Sequence, residues 1–174
     1  MTAVDEPVHM VEYRSRWPEW FTSERDRIAT ASTVPVTQCE HIGSTAVPGL
    51  VSKPIIDIML GVVSYPPQNT LVESLVDLGY EFLGEADVPE RLYFRLRGSQ
   101  SYNVHVVEIG GTHWISNIAL RNYLRTDESA RNRYATTKRS AIASGATTLL
   151  AYSEAKAQIL TTLLQEALAQ HVDR

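Results

Sequence analysis

Behind an opening stretch with no steady period, "RWPEWFTSERDRIATAS" repeats Trp20, Phe21, Glu24 and Ile28 at helical spacing, with Pro18 in the first turn. "VTQCEHIG" alternates weakly and ends in glycine, which predicts a strand running into a turn. "KPIIDIMLGVV" is an almost unbroken apolar run rich in β-branched residues, the pattern of a central strand buried on both faces. "NTLVESLVDLG" predicts a short amphipathic helix stopped by Gly79. "RLYFRLRG" and "YNVHVVEIG" alternate across a Gly-Ser-containing turn and predict an antiparallel hairpin. From Thr112 the pattern is helical in three segments. "THWISNIALRNYLR" opens on a Thr cap, "DESARNRYATTKRSAIASG" runs from Asp127 to Gly145, and "TTLLAYSEAKAQILTTLLQEALAQ" follows. Strands and helices are segregated rather than alternating. The expected fold class is therefore α+β, a mixed β-sheet packed with helices and followed by a C-terminal three-helix segment.

Composition narrows this picture without changing it. A chain of 174 residues suits one domain over 1–174, with residues 1–9 expected as a loose start. Twenty acids against sixteen bases give a net charge of −4, which argues against a nucleic-acid partner held by a broad basic face. Cys39 is the one cysteine, so an internal disulfide and a cysteine metal cage are both excluded. No apolar run reaches membrane-spanning length, and the first fifteen residues lack the layout of a signal peptide. A cytoplasmic protein is the expectation.

The chemistry concentrates in "EHIGSTAVPGLVSKPIIDIML", residues 40–60. It is not a Walker loop, because Leu50 follows the second glycine where Lys should stand, and no dinucleotide fingerprint occurs. It is a Gly43-Ser44 turn followed by a strand that carries Asp57 in apolar company. Glycine admits close backbone approach, and the Ser44 hydroxyl and turn amides suit a phosphate oxygen. An ionised carboxylate in such a strand is costly unless paired or metal-bound. The plainer alternative is a simple turn, with Asp57 paired to Lys53 or an arginine.

"EHIGSTAVPGL" followed by "KPIIDI" resembles the GrpB family of small bacterial proteins, placed in the nucleotidyltransferase-fold superfamily. The likeness extends through "WPEWF", "LGYEFLGE", "VHVVE", "LRNYLR" and the pairs Tyr134/Lys138 and Tyr152/Lys156. It implies a nucleotidyltransferase-like sheet and a Gly-Ser turn that precedes an Asp-x-Asp strand. Gly43, Ser44 and Asp57 match that signature, and Met59 stands where the second acid belongs.

The resemblance implies Mg²⁺ as a possible cofactor, with Asp57 as metal ligand and Glu40 or His105 supplying the missing ligand or a base. Because side chains alternate, either Glu40 or His41 shares the Asp57 face, and His105 is placed toward the cleft. Lys53, Arg121, Lys138 and Lys156 are the phosphate-binding candidates, with Arg91 and Arg125 behind them. Each Tyr/Lys pair could equally be a solvated stripe on a helix. Two functions follow. One is metal-assisted transfer from a nucleoside triphosphate to a small acceptor. The other is a non-catalytic nucleotide- or phosphate-binding module that has lost the second carboxylate.

Overall fold

Residues 55–62 form the spine of the sheet. The computed structural model describes residues 5–172, with side chains through residue 170. In it β1 (Cys39–Ile42) pairs antiparallel with β2 (Ile55–Val62), and β2 pairs in parallel with a later strand, Ser101–Glu108. A parallel pair cannot be closed by a tight hairpin. Residues 63–100 supply the crossover with a helix (Asn69–Asp77) and the edge strands β3 (Glu81–Phe82) and β4 (Leu92–Leu96). With Ser101–Glu108 as β5, the mixed sheet has the order β1-β2-β5-β4-β3. The hairpin is β4 with β5, antiparallel. The edge strand β3 is only two residues long, too short to leave a period.

Strand alternation sorts β2 and β5 into two chemistries. Ile56, Ile58, Leu60, Val104 and Val106 point to one face. There they pack on Trp17 and Ile28 of α1 (Trp17–Ser32) and on Leu71 and Leu75 of the crossover helix, α2. Pro18 sits in the first turn of α1, and Thr33 ends that helix in a left-handed conformation. On the other face Ile42, Met59 and Val107 form a small apolar cluster under Trp114 and Ile118 of α3 (Thr112–Thr126). Asp57, Asn103 and His105 lie on that same face.

Among the described residues the C-terminal part holds four helices rather than three. α3 is followed by α4 (Glu128–Ala143), α5 (Leu149–Ala155) and α6 (Ala157–Val172). Asp127 caps α4 by accepting from the Ala130 amide at 2.7 Å. Thr112 does not cap α3; it is the first helical residue, and Gly111 precedes it without a side-chain bond. The expected third helix breaks at Lys156. The break frees α6 to dock Leu163 and Ala167 in one cluster with Ala119 and Tyr123 of α3, a tertiary demand that periodicity does not carry.

The start of the chain is also tighter than expected. Residues 1–4 lie outside the described range, but Pro7 bridges Thr148, Val11 bridges Ser52, and Glu6 pairs with Arg97. These contacts hold residues 6–11 against the body of the protein. Among the described residues no helix is long and apolar enough to cross a membrane.

Candidate functional site

Asp57 lies at the rim of the apolar cluster, where β2 meets a polar stretch of β5. Pairing puts it opposite Asn103 on one side and Ile42 on the other, while Met59 is opposite His105 and Tyr93 is opposite His105 across β4. The Asn103 amide donates to Asp57 Oδ1 at 2.7 Å, and His105 Nε2 lies 3.5 Å from the same oxygen. Asn103 is held in turn, its Oδ1 accepting from Tyr93 Oη and Arg97 Nη2, each at 2.9 Å. Arg97 is clamped by Glu6. A line of hydrogen bonds therefore runs from the N-terminal strap to the Asp57 carboxylate.

Burial on its own would raise the Asp57 carboxyl. The His105 hydrogen bond and charge, Lys53 and the Asn103 amide outweigh it and hold the group well below the usual carboxylate range. Burial and the nearby Asp57 charge push the Tyr93 hydroxyl up to about 12. Asp57 is thus a charged group on a half-buried wall, with its side chain 23% exposed.

The Gly43-Ser44 turn faces that carboxylate. Gly43 has φ +68, and a Cβ added there would lie 2.5 Å from Asp57 Oδ2. Only glycine fits both the conformation and the space. Ser44 opens a single 3₁₀ turn and meets α4, where Lys138 Nζ lies 2.5 Å from Ser44 Oγ and 2.8 Å from the Val51 carbonyl oxygen. Lys138 is 1% exposed, and its Nζ stands 4.4 Å from the centre of the Tyr134 ring. Lys156 makes the same contact with Tyr152 at 5.0 Å.

These groups line one cavity of about 480 Å³. Its wall includes Gly43, Ser44, Asp57, His105 and the three lysines Lys53, Lys138 and Lys156. Among the described lining residues Asp57 is the sole acid. Burial, and then the like charges of Lys156 and Lys53, push the Lys138 ammonium well below the usual lysine range, with Asp57 opposing. Burial lowers Lys53 as well, with Asp57 opposing and Lys156 adding to the shift.

Two expected partners are engaged elsewhere. Glu40, not His41, shares the Asp57 face, being opposite Met59 in the register. Its carboxylate is held by Arg121 Nη1 at 2.5 Å. Arg121 reaches the cavity wall, yet its guanidinium is committed to Glu40 and the His41 carbonyl oxygen. His41 turns to the other face, stacks on Phe21, and is lowered to about 4, chiefly by burial. Arg125 bonds the Ala46 carbonyl oxygen. Arg91 does line the cavity, over the Tyr93 ring, with its Nε buried and unbonded.

Asn103 and Tyr93 were not anticipated. The signal for Asn103 was present, since an amide at the same parity as His105 in an apolar strand is out of pattern. Tyr93 carried no signal, because a tyrosine in an alternating strand is ordinary core.

Sequence and structure comparisons agree with this architecture. The GrpB protein family matches residues 7–166. A UPF0157 protein of Halalkalibacterium halodurans is 34% identical, covering 92% of this chain and 82% of that one. The crystal structure of the conserved protein GrpB from Enterococcus faecalis superposes with a TM-score of 0.82 at 29% identity, covering 94% of this chain and 99% of that one. The Cid1 poly(U) polymerase, solved with Mg and 3′-dATP, matches at a TM-score of 0.51 and 15% identity, covering 83% of this chain and 49% of that one. That last likeness is one of fold.

Proposed function

This chain belongs to the GrpB family, and from that premise we propose that its cavity binds the phosphate groups of a small molecule, a nucleoside triphosphate foremost. One observation carries this. Lys53, Lys138 and Lys156 line the same cavity as the Gly43-Ser44 turn, with Asp57 as the single acid among them. In a protein of net charge −4, three lysines share a space where their charged forms repel one another and lose water. A phosphate group entering there would relieve both costs. Lys53 and Lys156 provide the direct charge, Gly43 lets the ligand approach the backbone, and the Ser44 hydroxyl provides a hydrogen bond. Tyr93, Tyr134 and Tyr152 offer apolar faces for the remainder of the ligand.

The residues do not fit a resident Mg²⁺. A magnesium ion needs several oxygen ligands. Among the described residues no group of three His, Cys, Asp or Glu is placed to hold a metal. Met59 is fully buried in the apolar cluster where a second carboxylate would stand, and Glu40 is bound to Arg121. A phosphate-binding site that works without a resident metal is therefore better supported than metal-assisted nucleotidyl transfer. The transfer reading keeps one observation in its favour, the Asp57 carboxylate packed against Gly43 beside Ser44.

Thermal melting with inorganic phosphate and with ATP, each in EDTA and in Mg²⁺, separates the two. Binding to the folded state raises the melting temperature. The expected result is stabilisation in EDTA, weaker at high salt, and lost in a Lys53→Met/Lys156→Met double variant. Stabilisation that appears only with Mg²⁺ and vanishes in Asp57→Asn would favour transfer. No stabilisation by either anion in either condition would sink the phosphate site.

A further inference from the structure

Lys138 is placed unlike the other two cavity lysines. Its Nζ is fixed from two sides, by the Val51 carbonyl oxygen at 2.8 Å and by the Tyr134 ring, and its third contact is Ser44 Oγ at 2.5 Å. Ser44 is half-buried, lines the cavity, and sits on a turn set by Gly43. A hydroxyl reachable by a ligand, an amine within hydrogen-bond reach and a group orienting that amine are the parts of an activated nucleophile.

We propose that Ser44 and Lys138 form a nucleophile–base pair that takes a phosphoryl group from a small phosphate ester. The idea rests on the phosphate seat proposed above, which would hold the ester beside Ser44. For the pair to act, Lys138 must carry a lone pair, and its surroundings favour the free amine. It is buried, and it faces Lys53 beside β2, Lys156 at the α5–α6 joint, Tyr134 on its own helix and Tyr152 on α5, with Asp57 on β2 as the opposing charge.

The Ser44 hydroxyl proton passes to Lys138 Nζ as the Oγ–P bond forms and the bond from phosphorus to the leaving oxygen breaks. Lys138 then gives that proton to the leaving alkoxide. Water attacks the phosphoserine with Lys138 taking a proton from it. As the P–Oγ bond breaks, Oγ recovers the proton from Lys138. The sum is ester plus water giving alcohol plus phosphate. Lys53 and Lys156 offset the charge on the phosphoryl oxygens throughout.

The test uses an uncharged alkyl fluorophosphonate, which presents a phosphorus electrophile and does not depend on the lysine seat. Intact-protein and peptide mass spectrometry should find one adduct on Ser44, absent in Ser44→Ala. Its rate should rise with pH in the wild type as Lys138 gives up its proton, and fall about 100-fold or more in Lys138→Met. Should Lys138→Met not fold, the wild-type pH profile still decides. No adduct, or a Ser44 adduct whose rate ignores pH, overturns the pair. Phosphate melting shifts run alongside separate the two proposals. A shift without an adduct removes the nucleophile and leaves the phosphate seat, whereas an adduct without a shift keeps the reactive pair and removes the phosphate ester as its substrate.

Discussion

Gly43 is the residue on which the site geometry turns. Its backbone is left-handed at φ +68, and an added Cβ would run into the Asp57 carboxylate. Gly43→Ala is therefore expected to cost about 1–3 kcal/mol of stability, measured by urea denaturation, and to abolish the phosphate-dependent rise in melting temperature. Gly49 is the internal control. It is also left-handed, at φ +77, but a Cβ there meets nothing within 4 Å. Gly49→Ala should show only the backbone penalty and keep the phosphate response. If the two variants respond alike to phosphate, the close approach of Gly43 to Asp57 has no functional meaning.

At the scale of elements, the two faces of the sheet divide the labour. On the α1 side, Tyr80 donates to Glu24 Oε1 at 2.7 Å, and Arg27 holds the same carboxylate. Glu24 is only 6% exposed, so this knot locks α1 to the segment that follows α2. Tyr80→Phe removes one hydrogen bond to a buried charge, worth about 1.5–3 kcal/mol. The expected outcome in urea denaturation is that loss, with phosphate binding intact, because the knot lies across the sheet from Asp57. Impaired phosphate binding in this variant would mean the two faces are coupled. Alternation along β1 shows the same division, sending Glu40 to the cavity side and His41 to Phe21.

Across the whole molecule, charge placement sets the pH response. The Asp57 carboxyl sits below its unfolded value, so its contribution to stability is present above the ordinary carboxylate range and is lost as pH falls through the folded value. Lys138 is also lowered, but as a base. Between its folded value and the unfolded value of about 10.4, the unfolded chain binds the extra proton, so stability climbs with pH over that window. Urea denaturation across pH should show both limbs. Asp57→Asn should flatten the acid limb, and Lys138→Met should flatten the alkaline climb. An alkaline climb unchanged in Lys138→Met would place the titrating group elsewhere.

Alternation and helical spacing alone determine much of this protein: the α+β class, the apolar central strand, the hairpin and the Gly43-Ser44 turn before Asp57. Those features are local, written in residues two to four positions apart or in one short motif. What only the tertiary structure decides is which distant groups meet. Asn103 reaches Asp57 across 46 positions, Lys138 reaches Ser44 across 94, and Arg121 takes Glu40 across 81. The split of the last helix at Lys156 and the tethering of residues 6–11 follow the same rule. Period and propensity report which face of an element is apolar, whereas pairing between charges depends on strand register and helix docking, which no local pattern encodes.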